Sequence, residues 1–131
     1  MLVSIITPSF NQAPFLEATI RSVLEQDHPY LEYIIVDGGS TDGSLEIIQK
    51  YSNQLSWWVS EKDMGQTDAI NKGFSHAHGE LLAWLNSDDT YNPGAVSAAV
   101  KVLENNPTTG LVYGDANFID KNGDTLGAFP A

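Results

Sequence analysis

Leu81-Leu82-Ala83-Trp84-Leu85-Asn86-Ser87-Asp88-Asp89 starts as an almost unbroken apolar run and ends in two adjacent carboxylates. Gly79-Glu80 precedes it and Asn92-Pro93-Gly94 follows. So short an apolar run reads as a strand buried on both faces, as in a parallel or mixed sheet flanked by helices. In such sheets ligands gather just beyond the carboxyl ends of the strands, where Asp88 and Asp89 fall. Successive side chains in extended backbone point opposite ways, so one carboxylate can face a ligand's sugar while its neighbour faces a metal ion. Aspartates also start turns, and a turn before Pro93 explains the pair equally well until the rest of the chain is read.

Outward from this stretch, strand and helix signals alternate. Leu2 to Thr7 is β-branched and apolar, a first strand. Pro14 suits a helix first turn, and Leu16, Ile20, Val23 and Leu24 make an apolar helical stripe that Pro29 ends. His28 lies in the loop with no metal-ligand partner nearby in sequence. Tyr33 to Val36 is a second strand, followed by Asp37-Gly38-Gly39-Ser40-Thr41-Asp42-Gly43, in which Asp42 can cap a helix carrying Leu45, Ile47, Ile48 and Tyr51. Leu55 to Ser60 reads as a third strand, its Trp57 and Trp58 as sheet cover rather than a sugar platform. Gly65 opens a helix to about His78, with His76 and His78 as surface or capping residues.

Beyond Asp89, a helix runs from Pro93-Gly94 through Val96, Val100 and Leu103 to Asn105-Asn106-Pro107, then a fifth strand over Leu111 to Asp115. Lys121-Asn122-Gly123 between two short strand signals predicts a hairpin. Asp120, Asn122 and Asp124 resemble the start of a calcium loop, but Thr125 occupies the required glycine position, which argues against calcium there. The alternation predicts one α/β domain over residues 1–131: a mostly parallel, Rossmann-like sheet with helices on both faces and a C-terminal hairpin. Its polar strand ends should gather on one rim.

Composition narrows the chemistry. Six basic against seventeen acidic residues give a net charge of −11, which argues against a nucleic-acid partner or a polybasic membrane contact. An acidic protein still holds a phosphate ligand if a divalent cation lies between them. There is no cysteine, which excludes thiolate metal sites and cysteine nucleophiles. No apolar run approaches about 20 residues and no leader pattern opens the chain, so the cytoplasm is the expected location. No Gly-x-Gly-x-x-Gly or Gly-Lys-Ser/Thr loop is present; neutralising a phosphate falls to a divalent metal.

Four motifs in order carry a resemblance: Val3-Ser4-Ile5-Ile6-Thr7-Pro8-Ser9-Phe10-Asn11, Ile34-Ile35-Val36-Asp37-Gly38-Gly39-Ser40-Thr41-Asp42-Gly43, Gly65-Gln66-Thr67-Asp68-Ala69-Ile70-Asn71-Lys72-Gly73 and Asn86-Ser87-Asp88-Asp89. Together they resemble the family 2 glycosyltransferases of the GT-A fold. The resemblance implies a nucleotide-diphosphate sugar donor such as a UDP-sugar and a hydroxyl acceptor on a glycan, lipid or other molecule. It also implies Mn²⁺ or Mg²⁺ as cofactor, inversion at the anomeric carbon, and a place in polysaccharide biosynthesis. Pro8 and Phe10 match positions that line the nucleobase, Asp37 the carboxylate that hydrogen-bonds it, Asp88 the ribose-side residue and Asp89 the metal-side residue. Asp68 matches a position that reaches the ribose or diphosphate. As bland alternatives, Asp37 is a turn aspartate and Asp68 a helix first-turn acid.

Many members carry a second aspartate where this chain has Gly38. Members also continue with an acceptor site, a general-base carboxylate and a Gln-x-x-Arg-Trp stretch, none of which occurs before Phe129-Pro130-Ala131. The expectation is therefore the donor-binding portion of a longer enzyme, one whose full-length form is open to peripheral membrane association and homo-oligomerisation, or else a module that binds a nucleotide sugar without turnover. Asp115 and Asp120 are the local candidates for a base. A nucleotidyltransferase would want a basic Gly-rich loop where Pro8-Ser9-Phe10-Asn11-Gln12 stands. A phosphoacceptor receiver would want an acidic pair after the first strand and a lysine after the fifth.

Overall fold

A computed structural model describes residues 1–130. The order is β1 (Val3–Ser9), α1 (Ala13–Leu24), β2 (Leu31–Asp37), α2 (Ser44–Lys50), β3 (Trp57–Ser60), α3 (Gln66–Ser75), β4 (Leu81–Trp84), α4 (Ala95–Asn105), β5 (Ala116–Ile119) and β6 (Thr125–Phe129). The first four strands form one sheet in the order β3-β2-β1-β4, all pairs parallel. The last two form a separate antiparallel hairpin.

β1 and β2 are unbroken apolar runs because both their faces are covered. Ile5, Tyr33 and Ile35 point to one side and pack with Leu16, Ile20 and Val23 of α1, Ile48 of α2 and Val96 and Val100 of α4. Ile6, Ile34 and Val36 point to the other and meet Ala69 of α3 with Phe74 and Trp57 beside it. Helices therefore lie on both faces of a parallel sheet, as the alternation predicts. Tyr33 is fully buried, and its hydroxyl pairs with Thr7 Oγ1 at 2.7 Å; that burial pushes its pKa upward.

β4 corrects the opening expectation. It is a four-residue edge strand with one face covered: Leu81 and Ala83 pack against the α4 side, while Leu82 and Trp84 remain more than half exposed. The reason is the placing of α3, which sits on β1 and β2 and does not extend over β4. Leu111 to Asp115 forms no strand, and Leu111 and Tyr113 are exposed. β3 starts at Trp57 because a 3₁₀ turn occupies Ser52–Gln54, and α3 stops at Ser75. The hairpin is present, its turn closed by Asp120 Oδ1 accepting from the N–H groups of Asn122 and Asp124 and by Gly123 at φ +86°.

The histidines do structural work. His76 stacks on Trp57 with centroids 3.5 Å apart. His28 Nε2 lies 2.7 Å from the Met1 carbonyl oxygen. His78 meets Glu32, whose Oε1 also accepts from the Ser4 hydroxyl at 2.7 Å. Burial works to raise the Glu32 carboxyl, but hydrogen bonds from Ser4 and from the backbone and ring of His78 outweigh it, and its pKa falls below the usual 4.5.

Two expectations follow from this packing. A Cβ on Gly73 would come within 2.6 Å of both Cγ atoms of Ile6, so Gly73→Ala should lower stability by roughly 1–3 kcal/mol in urea unfolding despite its better helix propensity. Because the folded-state pKa of Glu32 is lowered, its stabilising contribution is present above pH 4.5 and lost as pH falls through the lowered value. Glu32→Gln should therefore flatten the acid limb of the stability–pH curve below 4.5.

Candidate functional site

Parallel register brings the strand ends side by side. Ser9 is opposite Asp37, and Asp37 is opposite Ser60. Leu85 N–H continues the β4 pairing to the Ile6 carbonyl oxygen at 2.8 Å, so the chain delivers Asp88 and Asp89 to the same rim. There a cleft of about 550 Å³ opens between Pro8 at the end of β1 and Phe10 just after it, Gly38 after β2, Asp63 before α3, and Asn86 and Asp88 after β4.

Of the residues singled out from sequence, Pro8, Phe10 and Asp88 line this cleft. Pro8 is buried in its wall. Phe10 is 59 % exposed and leaves a ring free at the rim for a planar group to cover. Asp37, Asp68 and Asp89 stand just outside the lining, each with a definable task.

The Asp37 carboxylate is fully buried. Its Oδ2 accepts from the N–H groups of Gly39 and Ser40 and from Ser60 Oγ, and its Oδ1 accepts from Ser40 Oγ at 2.6 Å. Ser40 Oγ in turn accepts from Asn11 N–H, and Asn11 Oδ1 accepts from Thr41 N–H. Asn11 holds φ +51°, a left-handed conformation that asparagine tolerates better than most side chains. Asp37 thus ties the loop after β1, the loop after β2 and the end of β3 into one unit. Asp42 adds a second tie: it accepts from Ser44 and also from Ala13 N–H in the first turn of α1.

Asp68 turns back on its own helix start, its Oδ2 accepting from Met64 N–H at 2.9 Å. The N-terminus of α3 lines the cleft through Gly65 and Gln66 and presents partial positive charge there. Gln66 Nε2 donates to Asn86 Oδ1, joining α3 to the acidic loop.

That loop is held from behind by α1 and the turn that follows it. Thr19 Oγ1, fully buried, donates to the Asp89 carbonyl oxygen at 2.7 Å. Ser22 Oγ accepts from Tyr91 N–H, and Gln26 bridges the Asn92 carbonyl oxygen and Val96 N–H. The side chains of Asp88 and Asp89 are left outward. Partial burial, then the charge of Asp88, push the Asp89 carboxyl above its usual range against a long hydrogen bond from Asn86 Nδ2.

The donor set fits a hard divalent cation: Asp88, Asp89 and Asn86 offer oxygen only. Among the described residues no group of three histidine or acidic side chains forms a complete cage. Such a site suits an ion that takes its remaining ligands from a diphosphate and water.

Sequence reasoning did not assign Ser9, Lys62 or Asp63, which also line the cleft. Ser9 Oγ is buried without a hydrogen-bond partner among the described residues. Among the described residues Lys62 is the one basic side chain lining it. Asp115 and Asp120, named as candidate bases, do not line it; Asp115 borders a different hollow beside α4.

The model of the family described as glycosyl transferase family 2 matches residues 4–126. The chain belongs to glycosyl transferase family 2. This family 2 chain is 34 % identical over 129 residues to an uncharacterized glycosyltransferase of Nostoc sp. (strain PCC 7120), covering 96 % of this chain and 40 % of that one. It is 39 % identical over 105 residues to the cholesterol galactosyltransferase of Borreliella burgdorferi, covering 79 % of this chain and 28 % of that one. Among solved structures, the mannosyltransferase PcManGT from Pyrobaculum calidifontis, in complex with GDP-Man and Mn²⁺, superposes with TM-score 0.72 at 28 % identity, covering 90 % of this chain and 35 % of that one. TarS from S. aureus superposes with TM-score 0.72 at 30 % identity, covering 80 % and 20 %. The fold is of GT-A type, and the family 2 chain spans less than half the length of these relatives.

Because the Asp89 pKa is raised, its ionised form costs the folded state free energy at neutral pH. Asp89→Asn should therefore raise the melting temperature of the metal-free protein slightly, as read by differential scanning calorimetry.

Proposed function

We propose that this chain binds a nucleotide-diphosphate sugar, with UDP as the expected nucleotide, through a bridging Mn²⁺ or Mg²⁺, and that it serves transfer of the sugar to an acceptor hydroxyl with inversion at the anomeric carbon. The observation that carries the proposal is the meeting, on one rim, of an exposed ring after β1 with the paired carboxylates after β4. Family membership and the GDP-Man and Mn²⁺ in the Pyrobaculum complex support it.

In this reading the base lies against Pro8 and Phe10, Asp88 faces the ribose, and Asp89 holds the cation. The bound cation would supply charge neutralisation for the departing diphosphate. Asp37 acts from beneath by fixing the two loops that carry Phe10 and Gly38. Asp68 acts by fixing the start of α3, whose N-terminal N–H groups face the phosphate side. Thr19 holds the Asp89 backbone, so α1 sets where the carboxylates stand. The net charge of −11 opposes entry of a naked diphosphate, which makes nucleotide and cation binding mutually dependent.

Thermal-shift titration tests the proposal. UDP with Mn²⁺ should stabilise the chain by mass action, about 2.7 kcal/mol at a hundredfold excess over Kd. UDP alone and Mn²⁺ alone should do little, and Asp89→Ala should abolish the joint response. An undiminished response in Asp89→Ala would remove Asp89 from the metal site. Assay of donor hydrolysis and transfer beside donor affinity distinguishes an enzyme from a binding module without turnover.

A further inference from the structure

Nucleobases differ in what they present to a carboxylate. Uracil and guanine carry a ring N–H, whereas neutral adenine and cytosine have only a bare ring nitrogen at the corresponding edge. A carboxylate in the base pocket therefore selects between these classes, provided one of its oxygens is free to accept.

Asp37 does not have that freedom. Its four hydrogen-bond donors are Gly39 N–H, Ser40 N–H, Ser40 Oγ and Ser60 Oγ, about as many as a carboxylate accepts. It is also fully buried and outside the cleft lining. The next residue is Gly38, which lines the cleft and carries no side chain.

The space beside Gly38 is filled from elsewhere. A Cβ built on Gly38 would stand 3.0 Å from Asp63 Oδ1, 3.1 Å from Oδ2 and 3.2 Å from Cγ. The Asp63 carboxylate, from the turn between β3 and α3, thus sits against the Gly38 backbone and lines the same cleft as Pro8 and Phe10. Its Oδ1 accepts from Gly65 N–H at 3.0 Å, which fixes its place. No donor among the described residues is recorded on Oδ2. The pairing is mutual: a side chain at position 38 would crowd the carboxylate, and the glycine there leaves it room.

We infer that Asp63 is the residue that reads the nucleobase in this chain, its Oδ2 accepting the ring N–H of uracil or guanine, and that Asp37 is a positioning residue for the loop beneath it. The inference rests on the nucleotide-sugar reading given above and assigns the specificity of that same site. Asp63 takes no part in bond making.

Isothermal titration of UDP, GDP, ADP and CDP into the whole chain in excess Mn²⁺ tests it. The wild-type chain should prefer UDP or GDP over ADP and CDP. Asp63→Asn retains an acceptor for Gly65 N–H but replaces a free carboxylate with a neutral amide. It should weaken the preferred nucleotide about ten- to a hundredfold, as loss of a charge-assisted hydrogen bond does, and leave ADP, CDP and inorganic pyrophosphate within about twofold. If Asp63→Asn lowers the melting temperature enough to obscure the titration, Gly38→Ala asks the same question by crowding the carboxylate from the other side, and should weaken the same nucleotides selectively. Unchanged base preference in both variants would overturn the assignment and leave the nucleotide-sugar reading standing. Absence of any nucleotide binding by the wild-type chain would overturn that reading and the assignment with it.

Discussion

The buried carboxylate of Asp37 is the constraint on which the rim depends. A charge taken fully out of water is tolerated only when its oxygens are satisfied, and here the donors come from the loop it begins and from the neighbouring strand. Satisfying Asp37 fixes Ser40, Ser40 fixes Asn11, and Asn11 fixes the backbone that carries Phe10. The rim is thus shaped by an anion that is itself buried and outside the cleft lining. On the opposite side, Thr19 and Ser22 of α1 and Gln26 just beyond it do for the Asp88-Asp89 loop what Asp37 does for the loops after β1 and β2. The two halves of the cleft are set by separate polar scaffolds, joined where Gln66 meets Asn86.

The central part of the fold was legible because β1 and β2 have to be apolar on both faces, and an unbroken run such as Ile34-Ile35-Val36 has no other economical use in a short chain. The same logic misplaced β4. Leu81-Leu82-Ala83-Trp84 reads just like a central strand, but pattern alone does not say whether a helix covers the second face. Leu111 to Asp115 failed likewise: β propensity without a partner strand does not make a strand.

In the site, sequence order showed which segments converge and not which atoms are spare. Asp37 and Asp63 are both aspartates beside glycine-containing turns; their difference lies in how many donors each has already met. Asp63 carried a faint signal, an aspartate two residues before the glycine that opens a helix, which marks a side chain bonded to its own backbone. Nothing in the sequence places it against Gly38, because that contact crosses from one βα loop to the next.

The electrostatics carry a tension common to binding sites. Asp88 and Asp89 stand together on a chain already rich in negative charge, and partial burial first, then the charge of Asp88, raises the pKa of Asp89. Sites held ready for a counter-charge trade stability for affinity, and here the α1 scaffold keeps the pair in place against its own repulsion.

The bare flank of β4 has a consequence for how this polypeptide behaves in company. Among the described residues its outer N–H and C=O groups meet no neighbouring strand, and Leu82 and Trp84 lie open beside them. Such a margin is a template on which another β segment can add, whether from elsewhere in a longer chain or from a second molecule. At high concentration the isolated 131-residue polypeptide is therefore exposed to sheet-to-sheet adhesion along this seam, and a charged residue in place of Leu82 is the natural guard against it.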